Sequence, residues 1–230
     1  MRRFIIFLLL LLLSLSVLTC FAQKQEYVGQ YDAYFGFAYL TTPNMNLAER
    51  GWQAQFGYNY RRWVALGFDT SYFGGNSSVT VPQLNSATVA KLAPIFPYLP
   101  PGYTVYAPYS ANTYTITGGP QFNYRGFKYV TLFIHPDLGA MYQSIQIHPQ
   151  DAIIGGIASS LLGSSMNTSQ WTPFFGVGGG LDVNVTKHVG LRFQADWVYT
   201  NMFDNLLKSP QYTWRMSASP TFRFGKNVPQ

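Results

Sequence analysis

The residues best equipped for chemistry in this 230-residue sequence are charged ones set within stretches of alternating character. Asp32, Asp69, Asp137, Asp182 and Asp196 sit this way, as do Arg192 and Arg215. Parity puts all seven on the face opposite the aromatic residues, with Arg61, Arg125 and Arg223 on the same face nearer the ends of their stretches. If that face is enclosed, its carboxylates and guanidiniums must neutralise one another or stay in contact with trapped water, because an unpaired buried charge is costly. Two chemistries are open to such a set. One is a static ion-pair network that fills an interior; the other is a narrow ion path that opens when pairs exchange partners. Asp196 and Arg215 are the first pair expected.

The remaining candidates point elsewhere. His135 lies two residues before Asp137 on the same face, which suits a satisfied interior imidazole, and no Ser–His–Asp arrangement is imposed around it. His148 falls in a loop and His188 in a tight turn. The single Cys20 permits no intramolecular disulfide and no cysteine metal site, and no other residues have metal-ligand spacing. Gly178-Gly179-Gly180 lacks the Lys-Ser/Thr of a phosphate loop and suits close packing or a bend in a strand. No cofactor is expected.

The elements that must position these residues are strands. Charged residues are only 10% of the chain, against about 25% in an ordinary soluble domain, while aromatics reach 17%. A mean hydropathy of +0.01 excludes a helical membrane protein, and 18 Phe, 17 Tyr and 5 Trp exclude disorder. Period-two alternation dominates after residue 28. Trp52, Ala54, Phe56, Tyr58 and Tyr60 oppose Gln53, Gln55, Gly57, Asn59 and Arg61. The same pattern runs through 31–39, 189–200 and 211–224, and more weakly through 63–74, 111–125, 128–142 and 172–185. That makes eight strands, each long enough to cross a bilayer, where about nine to eleven tilted residues suffice.

Connections alternate in length. Arg61-Arg62, 124–128 and 186–188 are short turns; 75–110, 143–171 and 201–210 are long, and 41–50 is intermediate. Short turns at one end and long loops at the other describe an up-and-down membrane barrel, with the short turns periplasmic. Tyr31, Tyr58, Tyr60, Tyr124 and Tyr129 fall near the turns. Tyr39, Trp52, Tyr72, Tyr114, Tyr142, Trp197, Tyr199, Tyr212 and Trp214 fall near the loops. Two such aromatic belts suit headgroup depth. A narrow eight-strand interior has no room for so many rings, so the aromatic face is expected to point out into lipid.

Arg2 and Arg3, the apolar run 4–18 and Cys20-Phe21-Ala22 form a secretory signal over 1–22, leaving 23–230 as the barrel domain. Cys20 leaves with the signal or carries a lipid. Without Arg2 and Arg3 the formal charge falls from +6 to +4, which makes no case for nucleic acid.

Phe175-Gly176-Val177-Gly178-Gly179-Gly180-Leu181-Asp182, Leu191-Arg192, Gln194-Ala195-Asp196-Trp197 and the closing stretch Arg215 to Gly225 look like the last three strands of a known family. Over about residues 28–225 the chain resembles the OmpA-like eight-stranded outer-membrane barrels. It departs from them in carrying Ser219 where the family usually has Gly, and in running six residues past Phe224. The sequence ends too soon after the barrel for the peptidoglycan-binding domain of full-length members, so a barrel alone is expected. The resemblance implies an all-β, eight-stranded antiparallel transmembrane barrel in the Gram-negative outer membrane. Its surroundings would be outer-membrane lipid and lipopolysaccharide, and the barrel-assembly machinery would insert it.

Two long-loop segments, 89–109 and 151–163, are apolar. They could fold over the barrel mouth onto one another, contact lipid or a partner, or admit a hydrophobic solute. Deletion of 89–109 is expected to spare the strand ladders. The function expected is non-enzymatic: a structural or surface-interaction role, with a surface partner reached through 75–110 and 143–171. The alternatives are a small gated channel or hydrophobic-solute transporter, and behind them a lipid-modifying enzyme using His135.

Overall fold

The computed structural model describes residues 25–208 and 211–229, and the secretory signal expected over 1–22 lies outside them. Eight strands follow one another around a closed antiparallel barrel: β1 Gly29–Thr42, β2 Leu47–Arg61, β3 Val64–Thr80, β4 Tyr106–Tyr124, β5 Val130–Ile147, β6 Asn167–Asn184, β7 Val189–Thr200 and β8 Gln211–Asn227. β8 returns to pair with β1, so the ring has no free edge and the ladder satisfies its own backbone groups, as hydrocarbon requires. Pairing lapses where prolines stand in it. Between β4 and β5 it steps from Gly118–Leu138 to Phe122–Ile134 across Pro120 and Pro136, which face each other and have no N–H to give, and between β1 and β8 from Tyr34–Thr221 to Phe37–Ala218 across Pro220.

Alternation sets which face is which. Phe35, Phe37, Phe56, Leu66, Phe68, Ile134 and Leu138 are exposed on the outside, while Gln53, Gln55, Asp69, Thr115, Gln121 and Gln194 are buried inside. An apolar exterior around a polar, filled interior is the reverse of a water-soluble barrel, and the strands therefore span a membrane. Register lines the upper aromatics into a girdle. Phe37, Trp52, Tyr72, Tyr114, Tyr142 and Trp171 are successive direct partners across β1 to β6. Ring centroids lie 4.8 Å apart for Tyr72–Tyr114 and 5.1 Å for Tyr142–Trp171. At the other end Trp63 stacks near Phe122 at 6.4 Å, and Tyr31 lies 5.6 Å from both Tyr58 and Phe224. Eight residues separate Tyr114 from Phe122; at about 3.3 Å per residue and a tilt of about 40°, that spans roughly 20 Å, close to the apolar band of such barrels.

Above the girdle the structure departs from the sequence reading. β3 runs to Thr80, β4 starts at Tyr106, β5 runs to Ile147 and β6 starts at Asn167, so both ends of 75–110 and of 143–171 are strand. The 41–50 connection shrinks to a turn at Pro43–Met45 closed by Asn46, which takes φ 50. Residues such as Asn76, Ser77 and Ser78 stand in water outside the bilayer, where no apolar face is selected and the alternation fades. Deleting 89–109 would therefore cut into the β3–β4 ladder, where Tyr106 pairs Thr80 and Tyr109 pairs Ser77.

At the short-turn end Arg61 is exposed rather than interior. A bulge between Asn59 and Arg61 breaks parity, and its guanidinium lies over the Tyr60 ring at 5.8 Å. Arg62 donates to the carbonyls of Gln25 and Glu26 at 2.8 and 2.6 Å, and Thr131 donates to the buried Gln25 side chain at 3.1 Å. These bonds tie the residues before β1 to the turn end of the barrel.

Candidate functional site

Two regions hold the polar and apolar groups that could act: the charged interior and a cap above the girdle. All seven charged residues singled out in the sequence are buried inside the barrel. Arg215 bonds Asp196 through Nε and Asp69 through Nη1, each at 2.7 Å, with Asp137 at 3.8 Å from Nη2. Direct cross-strand register between β7 and β8 puts Asp196 opposite Arg215, so the pair expected first is built by one rung of the ladder. His135 lies between two of these carboxylates, Asp137 at 2.8 Å and Asp196 at 3.2 Å.

A second cluster lies around Arg192. Its Nε and Nη2 meet Asp182 at 2.7 and 2.9 Å, the bidentate geometry that suits a guanidinium best. Nη1 donates to Gln55 at 2.8 Å, and Asp32 lies 4.0 Å away. Arg223 joins Asp182 at 3.1 Å, while Arg125 donates to Asn59, which in turn donates to Asp32 at 2.9 Å. Tyr34 belongs to both clusters. Arg192 lies 5.3 Å from its ring and its hydroxyl donates towards Asp69 at 3.4 Å. Phe133 covers Arg192 from another side at 4.6 Å.

Glycine makes room for this filling. A Cβ on Gly178 would collide with the Asp196 carboxylate and the His135 ring, and one on Gly180 with the Phe193 carbonyl and the Phe133 ring. Gly178 thus leaves the space that the Asp196 carboxylate and His135 occupy, and Gly180 the space of the Phe133 ring that covers Arg192. Sequence reasoning missed several partners: Gln53 donating to Asp69, Gln194 donating to Asp196 at 2.9 Å, and Glu49. Glu49 is fully buried and accepts from Thr113 at 2.8 Å. Its parity with Gln53 and Gln55 carried the signal, hidden while 41–50 was taken as a connection.

The cap is a small apolar core. Helix α1 (Ser86–Leu92) begins with Asn85, whose side chain accepts from the Thr88 N–H; helix α2 (Ala152–Leu162) begins with Asp151, which accepts from Ile154 at 2.8 Å. Asp151 also accepts from Tyr103 at 2.7 Å, which joins the two long connections. The Ile154 amide bond and the Tyr103 bond hold the Asp151 carboxyl below its ordinary value, and the same contact pushes Tyr103 up to about 12. The segment after β7 closes the third side. Leu84 and Leu207 form a bridge, and Asn85 donates to the Leu206 carbonyl at 3.0 Å. Leu84 and Leu92 come from the first connection, Ile154 and Ile157 from the second, and Phe203 and Leu207 from the third; all pack with Ile145 and Ile147 of the wall. Of the three readings of the apolar segments, the structure shows them folded over the mouth onto one another. Between them remains a cavity of about 90 Å³.

On the outer rim the Ser110 hydroxyl and His148 imidazole are hydrogen-bonded, and among the described residues no carboxylate bonds that imidazole. No group of His, Cys, Asp or Glu among the described residues is placed to hold a metal ion.

No protein-family model and no curated protein sequence matches this chain. Solved structures do. Neisserial surface protein A is 14% identical, with 84% of this chain covering 96% of that one at a TM-score of 0.52. OprG of Pseudomonas aeruginosa is 9% identical over 88% of this chain and 99% of its own, at 0.49. Ail, the attachment invasion locus protein of Yersinia pestis, solved with the heparin analogue sucrose octasulfate, is 14% identical over 86% of this chain and all of its own (100%), at 0.46. Identity this low carries the fold alone, and the register, girdles and filled interior agree with it. The chain has the fold of the small eight-stranded, OmpA-like outer-membrane barrels.

Proposed function

We propose that this protein is a non-enzymatic outer-membrane anchor that presents a folded extracellular cap to a partner at the cell surface. A signal at residues 1–22 exports it, the barrel-assembly machinery inserts it, and outer-membrane lipid with lipopolysaccharide surrounds the girdled band. The observation that carries this reading is the contrast between the two regions. The interior is filled by interlocked ion pairs with Arg192 and Arg215 each only 2% exposed, while the connections above the membrane have a core of their own. A filled barrel holds; an ordered cap recognises. Loops without a role in recognition need no helices, helix caps or shared apolar core.

Cysteine labelling on intact cells tests the topology. Tyr98, 87% exposed at the tip of the first connection, should react as Tyr98→Cys with a membrane-impermeant maleimide, whereas Lys187→Cys at a short turn should not. The purified barrel should give no sustained ohmic conductance in planar bilayers. Labelling at 187 but not at 98 would invert the orientation, and steady conductance would favour the channel reading.

A further inference from the structure

The cavity in the cap is unlike the rest of the interior. Ile154, Ile157 and Ala158 of α2 form one side, Ile145 and Ile147 of β5 another, and Phe203 with Leu207 a third. Among the described residues no charged side chain lines it. Of its three threonines, Thr80 donates its hydroxyl to Gln83 at 3.0 Å and Thr88 to the Asn205 carbonyl at 3.4 Å, and Thr168 is the third. Water needs two to four polar partners to reside in a cavity, and this lining offers almost none. A space of about 90 Å³ with so few polar partners holds water poorly, and it is filled favourably by apolar matter of matching size.

The position matters as much as the lining. Ile145 stands three residues beyond the girdle residue Tyr142, and Val79 stands seven beyond Tyr72, so the cavity lies above the hydrocarbon band. Leu161, Leu162 and Leu206 on its border are half-buried, so the space is partly open to the exterior there. Beneath it the same apolar core continues through Tyr109, Ala111, Met141 and Phe174.

We infer that the cap cavity is a binding site for one small uncharged hydrocarbon-like molecule, of single-ring size at most, taken up from the extracellular side. Size sets the limit. An engineered apolar cavity of roughly 150 Å³ takes up benzene or xenon, and this one is smaller, so a single ring is the largest guest its interior accommodates. Lining chemistry sets the class, since a charged or strongly polar guest would lose its hydration with nothing in return. The inference is independent of any macromolecular partner of the cap.

Isoleucine-methyl NMR of the full barrel in lipid nanodiscs tests it, with benzene as the first probe and xenon as the second, so that size alone cannot decide the result. Ile145, Ile147, Ile154 and Ile157 report on the cavity. Ile116 and Ile134, 47% and 63% exposed on the lipid face, report on simple partition into the bilayer. The expected result is a saturable shift of the four cavity methyls with at least one probe. Ala158→Phe, which fills the space, should weaken the apparent affinity at least tenfold while heat-modifiable gel mobility persists. Ile154→Ala, which enlarges the space, should bind benzene more tightly than wild type. Shifts that grow linearly and equally at Ile116 and Ile134 would overturn the site. So would unshifted cavity methyls with both probes, or both variants binding as wild type does.

Discussion

Replacing Arg215 by leucine removes the cation that Asp69 and Asp196 share at 2.7 Å each, and that Asp137 approaches at 3.8 Å. Leucine restores some of the volume and none of the charge. Breaking a buried pair by removing one partner costs about 3–5 kcal/mol, because the remaining carboxylates stay desolvated without compensation. Two carboxylates share this one guanidinium and would keep only Gln53 and Tyr34 at Asp69 and Gln194 and His135 at Asp196, so the loss belongs in the upper half of that range. At about 1.4 kcal/mol per decade, 4–5 kcal/mol is a fall of roughly a thousandfold or more in the folding constant. Urea titration of the barrel in phospholipid vesicles, followed by tryptophan fluorescence and by gel mobility without boiling, measures it. Asp196→Asn and Arg215→Gln, alone and together, should couple by about 1–3 kcal/mol. Arg223→Gln is the control: its one ion pair, 3.1 Å to Asp182, leaves that carboxylate bidentate on Arg192, so the loss should be nearer 2 kcal/mol. A loss under about 1 kcal/mol for Arg215→Leu, or strict additivity of the pair, would refute the idea that the interior is held by these contacts.

Gly178→Ala should destabilise the barrel by about 1–3 kcal/mol, since its methyl group meets the Asp196 carboxylate and the His135 ring; the same urea titration reads it. Replacing 83–104 by a short Gly-Ser linker should keep heat-modifiable mobility, while deletion of 89–109 should impair it by removing Tyr106 to Tyr109 from β4. Asp151→Ala should speed amide exchange in α2 without changing barrel stability, because the Ile154 cap and the Tyr103 tie are both lost. Acid should do the same to wild type. The Asp151 carboxyl is held below its ordinary 3.8, so its contribution is complete above that value and is lost as pH falls from there through the lowered one. Exchange rates in α2 measured on either side of that window check the sign.

The parts legible in the sequence are those the bilayer selects. Trp52 to Tyr60, Val189 to Tyr199 and Tyr212 to Phe224 face hydrocarbon on every second residue, so alternation names both the strand and the buried side of Asp196, Arg192 and Arg215. Outside the bilayer that signal stops, and Asn76 to Thr80 continue β3 without announcing it. Arg61 was misplaced because one bulge shifts parity, and the sequence Tyr60-Arg61-Arg62 carries no mark of it. Helix α2 did leave a mark: Asp151 as a cap, an apolar run, and Gly163 with φ 81 at the end. A helix of 11 residues is too short for its apolar run to separate it from a loop segment by period alone. The partners of the charges, Gln53, Gln194 and Tyr34, could not be ranked from parity alone, since register between non-adjacent strands depends on closure.

The apolar core above the girdle has a consequence for how the molecule is held together. Burial of Leu92, Ile154 and Phe203 is driven by water, and in hydrocarbon those side chains gain nothing from leaving their surroundings. The two helices therefore hold together only where water surrounds them, so the cap belongs wholly to the aqueous side of the girdle. The strand ladder within the bilayer draws nothing from that core, and the two halves of the molecule are held by opposite solvents.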